Sequence, residues 1–198
     1  MRSFFKRFGR LSAFFAGLLL CGEFSVFTSI ARAQPIDPTV EYRIKAAYLF
    51  NFTKFVDWPP SAYPAAGSPF VVGVVDPSGA TTAIIAATLH GKTAPDGRAI
   101  EVRRFPSLNA EIAMCHQLFI TRASGIDPVV ASAALANAPV LLVGETDGFA
   151  EQGGVIGFVV LGDSVHCDVN LAGAQRAGVK LSGRLGSVAR LVREAKRK

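Results

Sequence analysis

Two short runs carry most of the side chains that could do chemistry. Cys115-His116 and His166-Cys167 bring two thiols and two imidazoles to a chain with three histidines and three cysteines. Four such groups are the donor set of a tetrahedral zinc site. The spacing argues against one. Both runs read as strands, and neighbours on a strand point to opposite faces, so the four cannot all converge. Neither pair has the C-x₂₋₄-C or H-x₃₋₅-H spacing of a structural zinc site. Phosphate cradles are absent too: there is no GxxxxGK[ST] and no GxGxxG. The HExxH and GxSxG signatures are also missing. The chain is therefore read as a non-enzyme with no metal and no cofactor.

The address of the chain bears on its thiols. Arg2, Lys6, Arg7 and Arg10 form a basic n-region before the apolar run Leu11 to Cys21. Ala31-Arg32-Ala33 is an A-x-A site before Gln34. That pattern predicts a cleaved Sec-type signal peptide over 1–33 and a single domain over 34–198. Glu23 interrupts the apolar run well short of the ~20 residues a membrane span needs. The whole chain carries a formal charge of +6, much of it in the leader. What remains is close to neutral, which gives no case for nucleic acid.

Cys21 leaves with the leader, and an exported chain with Cys115 and Cys167 invites one disulfide. Bridging needs Cα atoms about 4.4–6.8 Å apart. The expected strand order puts one strand between the two, a separation of roughly 10 Å. Both thiols are therefore expected to be free and buried.

The elements that position these residues begin with Glu41 to Pro60, EYRIKAAYLFNFTKFVDWPP. At helical period, Val40, Ile44, Ala47, Tyr48, Asn51, Phe52 and Phe55 share a face. Asn51 lies within that stripe, so it is expected to be buried and hydrogen-bonded. Leu49 and Phe50 lie off it. Either protein covers them from a second side, or they form an exposed apolar patch for a partner. Beyond Pro60, apolar strands alternate with helices. Strands are predicted at Phe70–Val75, Ala99–Phe105, Cys115–Thr121 and Pro139–Val143, and helices at Thr81–Leu89, Leu108–Met114 and from Asp127-Pro128 to Ala136. Val155–Leu161 and Ser164–Val169 flank Gly162-Asp163 as a hairpin. Asn170 is read as the cap of a short helix. Ser182 is read as the cap of a final helix with Leu185, Val188, Ala189 and Val192 inward and a basic last turn. The fold class is α/β: a mostly parallel central sheet with helices on both faces and an antiparallel hairpin at one edge.

Several blocks of this chain resemble one family. Lys45-Ala46-Ala47-Tyr48 and Asn51-Phe52-Thr53-Lys54-Phe55, followed by Trp58-Pro59, are similar to the opening of the YfiR-like periplasmic proteins. The likeness continues at Cys115 to Ile120, Gly148-Phe149, Gly153-Gly154-Val155-Ile156 and Asp168-Val169-Asn170-Leu171. It closes at Ala177 to Ser182 and Leu185.

The resemblance implies regulation. The best understood members are periplasmic repressors that hold an inner-membrane diguanylate cyclase inactive; release raises cyclic-di-GMP and favours biofilm. The implied partner is the periplasmic domain of an inner-membrane signalling protein, and members tend to be homodimers. Some use disulfides, with a cysteine at the place of Cys115. This chain has none between Gly22 and Met114. Cys167 stands where the family has an aromatic residue, and His166 where a basic one is common, so the family's redox pairing does not carry over. The family also occurs beside sensor kinases and other receptors, which leaves the partner's identity open. The rival is a small-molecule binding module acting with such a receptor. Its ligand would sit at the switch point of the sheet, near Asp76 and Thr121.

Overall fold

The computed structural model describes residues 36–136, 138–187 and 189–195. The first helix, α1, runs Pro38–Phe55. Asp37 caps it, accepting from the Thr39 N–H at 2.8 Å and the Val40 N–H at 3.2 Å. Pro38 fills the first turn, where a missing N–H costs nothing. The buried face is Lys45, Ala46, Leu49, Phe52 and Thr53. That is the predicted stripe advanced by one residue, or about 100°. The helix is apolar on more than one side, with Ile44, Tyr48, Phe50 and Phe55 half-buried against the core, so periodicity alone could not choose between adjacent faces. One expectation falls with the rotation, and one open alternative closes. Asn51 is not a buried amide: it is half-buried, and its Oδ1 accepts from Lys54 Nζ at 3.3 Å on the helix surface. Leu49 is fully buried in the core and cannot meet a partner.

Then follow β1 Val56–Asp57, β2 Phe70–Val75, α2 Ala80–Leu89, β3 Ile100–Phe105, β4 Gln117–Ile120, α3 Pro128–Ala134 and β5 Leu141–Gly144. The chain finishes with β6 Ile156–Leu161, β7 Ser164–Asn170, α4 Leu171–Arg176, β8 Lys180–Leu181 and β9 Arg190–Val192. A 3-10 turn, Ala110–Met114, takes the place of the short helix expected before β4. The main sheet has the order β3-β2-β4-β5-β6-β7-β9 and is parallel except between β6 and β7. Strands β2, β4 and β5 are buried along their whole length, as strands covered on both faces must be. The order reverses between β2 and β4, so their carboxyl ends define the switch point. A separate antiparallel pair, β1 with β8, joins Val56 to Leu181. The Ser182 N–H extends it by donating to Phe55 O at 2.7 Å.

The end of the chain departs from expectation. Ser182 Oγ does accept from the Arg184 N–H at 3.3 Å, but only a 3-10 turn, Gly183–Ser187, follows. Gly183 and Gly186 weaken any longer helix there. The next residues pair in parallel with β7, Asp168 facing Arg190 and Asn170 facing Val192. Arg190 fixes this register, its Nε donating to Asp168 Oδ1 at 2.7 Å. Val188 of the expected stripe lies outside the described residues. The basic residues Arg190 and Arg193 thus sit on and beyond a strand, with no helix dipole to complement.

With β9 outside β7, the hairpin is not the sheet edge. Strands β5 and β6 both lie between β4 and β7, so Cys115 and Cys167 are about three strand spacings apart, roughly 14 Å. Both thiols are free and buried. The hairpin also outruns its neighbours. β5 pairs only Val143 and Gly144 with Ile156 and Gly157, and β9 reaches only Asp168 to Asn170. Among the described residues, Phe158–Leu161 and Ser164–Cys167 therefore run on beyond the sheet as a two-stranded arm, with Phe158, Val165 and Cys167 buried and its tip exposed.

Candidate functional site

At the switch point the chain fills its own crevice. Lys45, almost wholly buried, reaches from α1 to the carboxylates of Glu145, just past β5, and Glu41, one turn back. Glu145 is buried as well and is saturated by neighbours. Its Oε1 accepts from Tyr42 OH at 3.1 Å and from the Arg122 N–H at 2.7 Å. Arg122 Nη2 adds bonds to Glu145 O at 2.7 Å and Asp147 Oδ1 at 2.9 Å. Burial, then the Glu145 charge, pushes the Tyr42 phenol up to about 12.

Asp76 is consumed in the same way. Its Oδ2 accepts from Thr82 N at 2.9 Å and its Oδ1 from Ser78 N at 3.1 Å, which ties the start of α2 to the end of β2. Burial alone would raise this carboxyl, but those hydrogen bonds outweigh it and hold it below its ordinary value. Thr121 Oγ1 donates to Val75 O at 2.7 Å. The groups expected to greet a ligand at Asp76 and Thr121 are thus bonded within the chain. The arrangement is a lock for α1.

Sequence reasoning named Lys45 but missed Glu145, Tyr42 and Arg122. Two signals could have found them. Glu41 and Lys45 stand at i,i+4 on one helix face. Glu145 is an acidic residue directly after an apolar parallel strand, where the crevice of an open sheet lies.

The amino end of the sheet is built differently. Trp58 Nε1 donates to His116 O at 2.8 Å, and its ring meets Phe70 edge-on at 4.8 Å. The His116 ring packs on Phe70 at 4.7 Å and on Tyr63 at 4.6 Å, and the Arg98 guanidinium stands 4.2 Å over the Tyr63 ring. The Val71 N–H donates to His116 Nδ1 at 3.0 Å. Burial, with help from the Arg98 charge, pushes His116 down to about 4. Cys115 lies against β2 where Gly73 leaves room: a Cβ there would sit 2.7 Å from its Sγ. Burial pushes the Cys115 and Cys167 thiols up to about 12. His166 is exposed on β7, far from His116 in the strand order. Among the described residues, no group of three or more His, Cys, Asp or Glu side chains could hold a metal ion.

The remaining motif residues bind elements to one another. Tyr48 OH donates to Val165 O at 3.1 Å, and Phe52 stacks on Phe158 at 6.1 Å. Phe55 O receives the Ser182 N–H, and Leu185 is buried. Pro59 leads in extended conformation into the 3-10 turn Pro60–Ala62. Gly153 turns at φ +112°, and Gly154 has no Cβ because the Phe149 ring occupies that space. Asn170 Nδ2 donates to Ala150 O at 2.9 Å and Gly154 O at 3.2 Å, while its Oδ1 caps α4 through Gly173 N.

The first helix offers little free apolar surface. Phe50 is half-buried, with Lys54 Nζ 4.4 Å and Lys92 Nζ 5.1 Å from its ring centre. Exposed apolar side chains are spread over the surface, on Val40 of α1, Met114, Val130 and Leu171 as well as on Val160 and Leu161 at the arm's tip and Leu191 on the edge strand. Ala31, Ala33 and Gln34, the expected cleavage site, lie outside the described residues.

These features define a class: an open α/β domain of reversed strand order, whose switch-point crevice is closed from within by its first helix. The sequence model of the YfiR/HmsC-like family (DUF4154) matches residues 42–190, and the chain belongs to that family. The family is one of periplasmic regulators associated with cyclic-di-GMP signalling and with membrane signalling proteins in general. No curated protein matches the chain.

Among solved structures, a conserved domain protein from Vibrio cholerae is similar at 11% identity and a TM-score of 0.50, over 80% of this chain and 61% of its own length. An ABC domain in complex with L-Trp from Streptococcus pneumonia matches at 14% identity and a TM-score of 0.46, over 63% of this chain and 56% of its own. The chain thus spans about three fifths of the solved proteins it matches. The likeness to the first is one of fold alone.

Proposed function

We propose that this protein is exported to the periplasm after cleavage behind Ala33 and there binds and represses a membrane-bound signalling protein, most specifically a diguanylate cyclase. The observation that carries the reading is the family match over residues 42–190. The structure is compatible with it in one further way. The motif residues build the scaffold and the crevice is filled, which leaves surface, rather than a reactive pocket at the switch point, as the working part.

Repression requires differential affinity: the regulator must hold the partner's inactive state more tightly than its active one. The arm is the favoured contact, because Val160 and Leu161 put apolar area at its tip. Homodimerisation belongs to the same reading. Crosslinking in the native envelope, followed by identification of the captured protein, tests the partner. Deletion of the gene should raise cellular cyclic-di-GMP, and the Leu161→Glu variant should fail to restore the lower level although it folds. Unchanged cyclic-di-GMP in the deletion strain, under conditions where the protein is made, refutes the cyclase assignment.

A further inference from the structure

A cavity of about 350 Å³ opens between α3 and α4, over the starts of β5 and β6. Leu135, Val140, Leu142 and Val155 give it an apolar floor, and all four are buried. Accessible polar groups stand in its wall. Ser132, half-buried on α3, lines it, and among the described residues its hydroxyl makes no hydrogen bond. Arg176, at the end of α4, lines it too, with its side chain 49% exposed. Arg176 Nη1 pairs with Glu194 Oε2 at 2.6 Å. The next residue helps to fix that carboxylate, since the Ala195 N–H donates to Glu151 O at 2.8 Å. Gly153, also in the wall, marks where these groups meet. A Cβ there would lie 3.3 Å from Ser132 Oγ and 3.8 Å from Glu194 Oε1. The hydroxyl and the second carboxylate oxygen therefore converge beside this glycine, and its φ of +112° disfavours any side chain at that point.

We propose that this cavity is a binding site for a neutral, hydroxyl-bearing small molecule about the size of one sugar ring. The charges decide the class. A lone ammonium drawn to Glu194 would also face Arg176, and a lone carboxylate drawn to Arg176 would also face Glu194; like charges so placed cost affinity. A hydroxyl avoids the conflict. It donates to the carboxylate and accepts from the guanidinium, whose five N–H donors are not exhausted by one carboxylate. Ser132 Oγ, which can both give and take, serves a second hydroxyl. Bonds to ionised partners are the strong ones. The ion pair is already formed, so little is spent on ordering it. The apolar floor takes the C–H face of a ring. The volume lies at the low end of the range for ligand pockets, about 300–1,000 Å³, which suits a single ring. The site stands independently of the regulator reading, so either can fail alone.

The test is ¹H–¹⁵N NMR of the purified protein, titrated separately with D-glucose and N-acetyl-D-glucosamine, and with hexylamine and hexanoate as charged counterparts. The expected result is a saturable shift of the Ser132 and Gly153 amide signals and of the Arg176 Nε–H with at least one sugar. Ser132→Ala should weaken that sugar's dissociation constant by about fivefold, the worth of one hydrogen bond. Glu194→Gln, which removes the charged acceptor, should weaken it by about tenfold or more. Ala133→Trp, which narrows the cavity from its exposed wall, serves if releasing Arg176 unfolds that variant. Signals that stay put under both sugars overturn the proposal, whether or not a charged probe binds. So does wild-type affinity in Ala133→Trp.

Discussion

Replacing Lys45 with alanine should unseat the first helix. Lys45 is one of the largest fully buried side chains, and it is the cation that faces both Glu41 and Glu145. Glu145 is itself buried, so removing the ammonium strands a carboxylate in the interior. Breaking a buried pair from one side costs about 3–5 kcal/mol. In a chain of this size that lowers Tm by about 6–20 °C, at about 2–4 °C per kcal/mol. The Tyr42 and Arg122 hydrogen bonds to Glu145 remain and place the loss toward the lower end. The assay is urea unfolding followed by Trp58, the one tryptophan of the chain, which reports from the opposite end of the sheet. The companion variant, Lys45→Met with Glu145→Leu, replaces the pair by apolar side chains and should recover most of the loss. A single variant that loses less than about 1 kcal/mol refutes the reasoning, because that is the worth of a solvent-screened pair. Strictly additive effects of the two replacements refute it equally.

Two further outcomes follow from the buried titratable groups. His116 titrates near 4 in the folded chain against 6.5 ordinarily, so the unfolded state binds more protons between those values. Stability is complete above about pH 6.5 and falls toward pH 4, by about 3 kcal/mol in all. Thermal melts across this range should show a steeper slope for the wild type than for His116→Phe, and equal slopes would disprove the assignment. The thiols of Cys115 and Cys167 should resist a thiol reagent in the native protein, because both are buried and hold their protons up to about 12. After unfolding without reductant both should react; finding neither would reveal a disulfide.

The sheet was legible because its strands are short apolar runs stopped by turn residues. Phe70–Val75 before Asp76-Pro77-Ser78-Gly79 is the clearest case, and Gly162-Asp163 marked the hairpin as plainly. Caps were legible too, since Asp127 and Asn170 act through local hydrogen bonds. What escaped depends on partners far along the chain. The rotation of α1 is decided by Glu145, 100 residues away from Lys45. The last segment carries a helical stripe, yet it became β9 because β7 offered an unpaired edge and Asp168 offered Arg190 a carboxylate. The cavity between α3 and α4 had no sequence signal, because its walls come from four separate segments. Lys45 and Trp58 were named from their motif, but their work, anchoring α1 at one end of the sheet and β4 at the other, is visible only in three dimensions.

The small pairing of β1 with β8 sets a clock. Val56 and Leu181 are some 125 positions apart, and Phe55 takes its last backbone partner from Ser182. A ribosome moving at about 5–20 residues per second needs about 6–25 s to deliver the second half of that contact after the first. Until Glu145 is made, 89 positions after Val56, the helix made first has neither its strand partner nor that carboxylate to hold it. Its apolar sides must then be shielded by something other than the finished domain. Closure so late in synthesis leaves the β1–β8 contact open until almost the whole chain has been made, although the strands of the sheet centre are complete by residue 144.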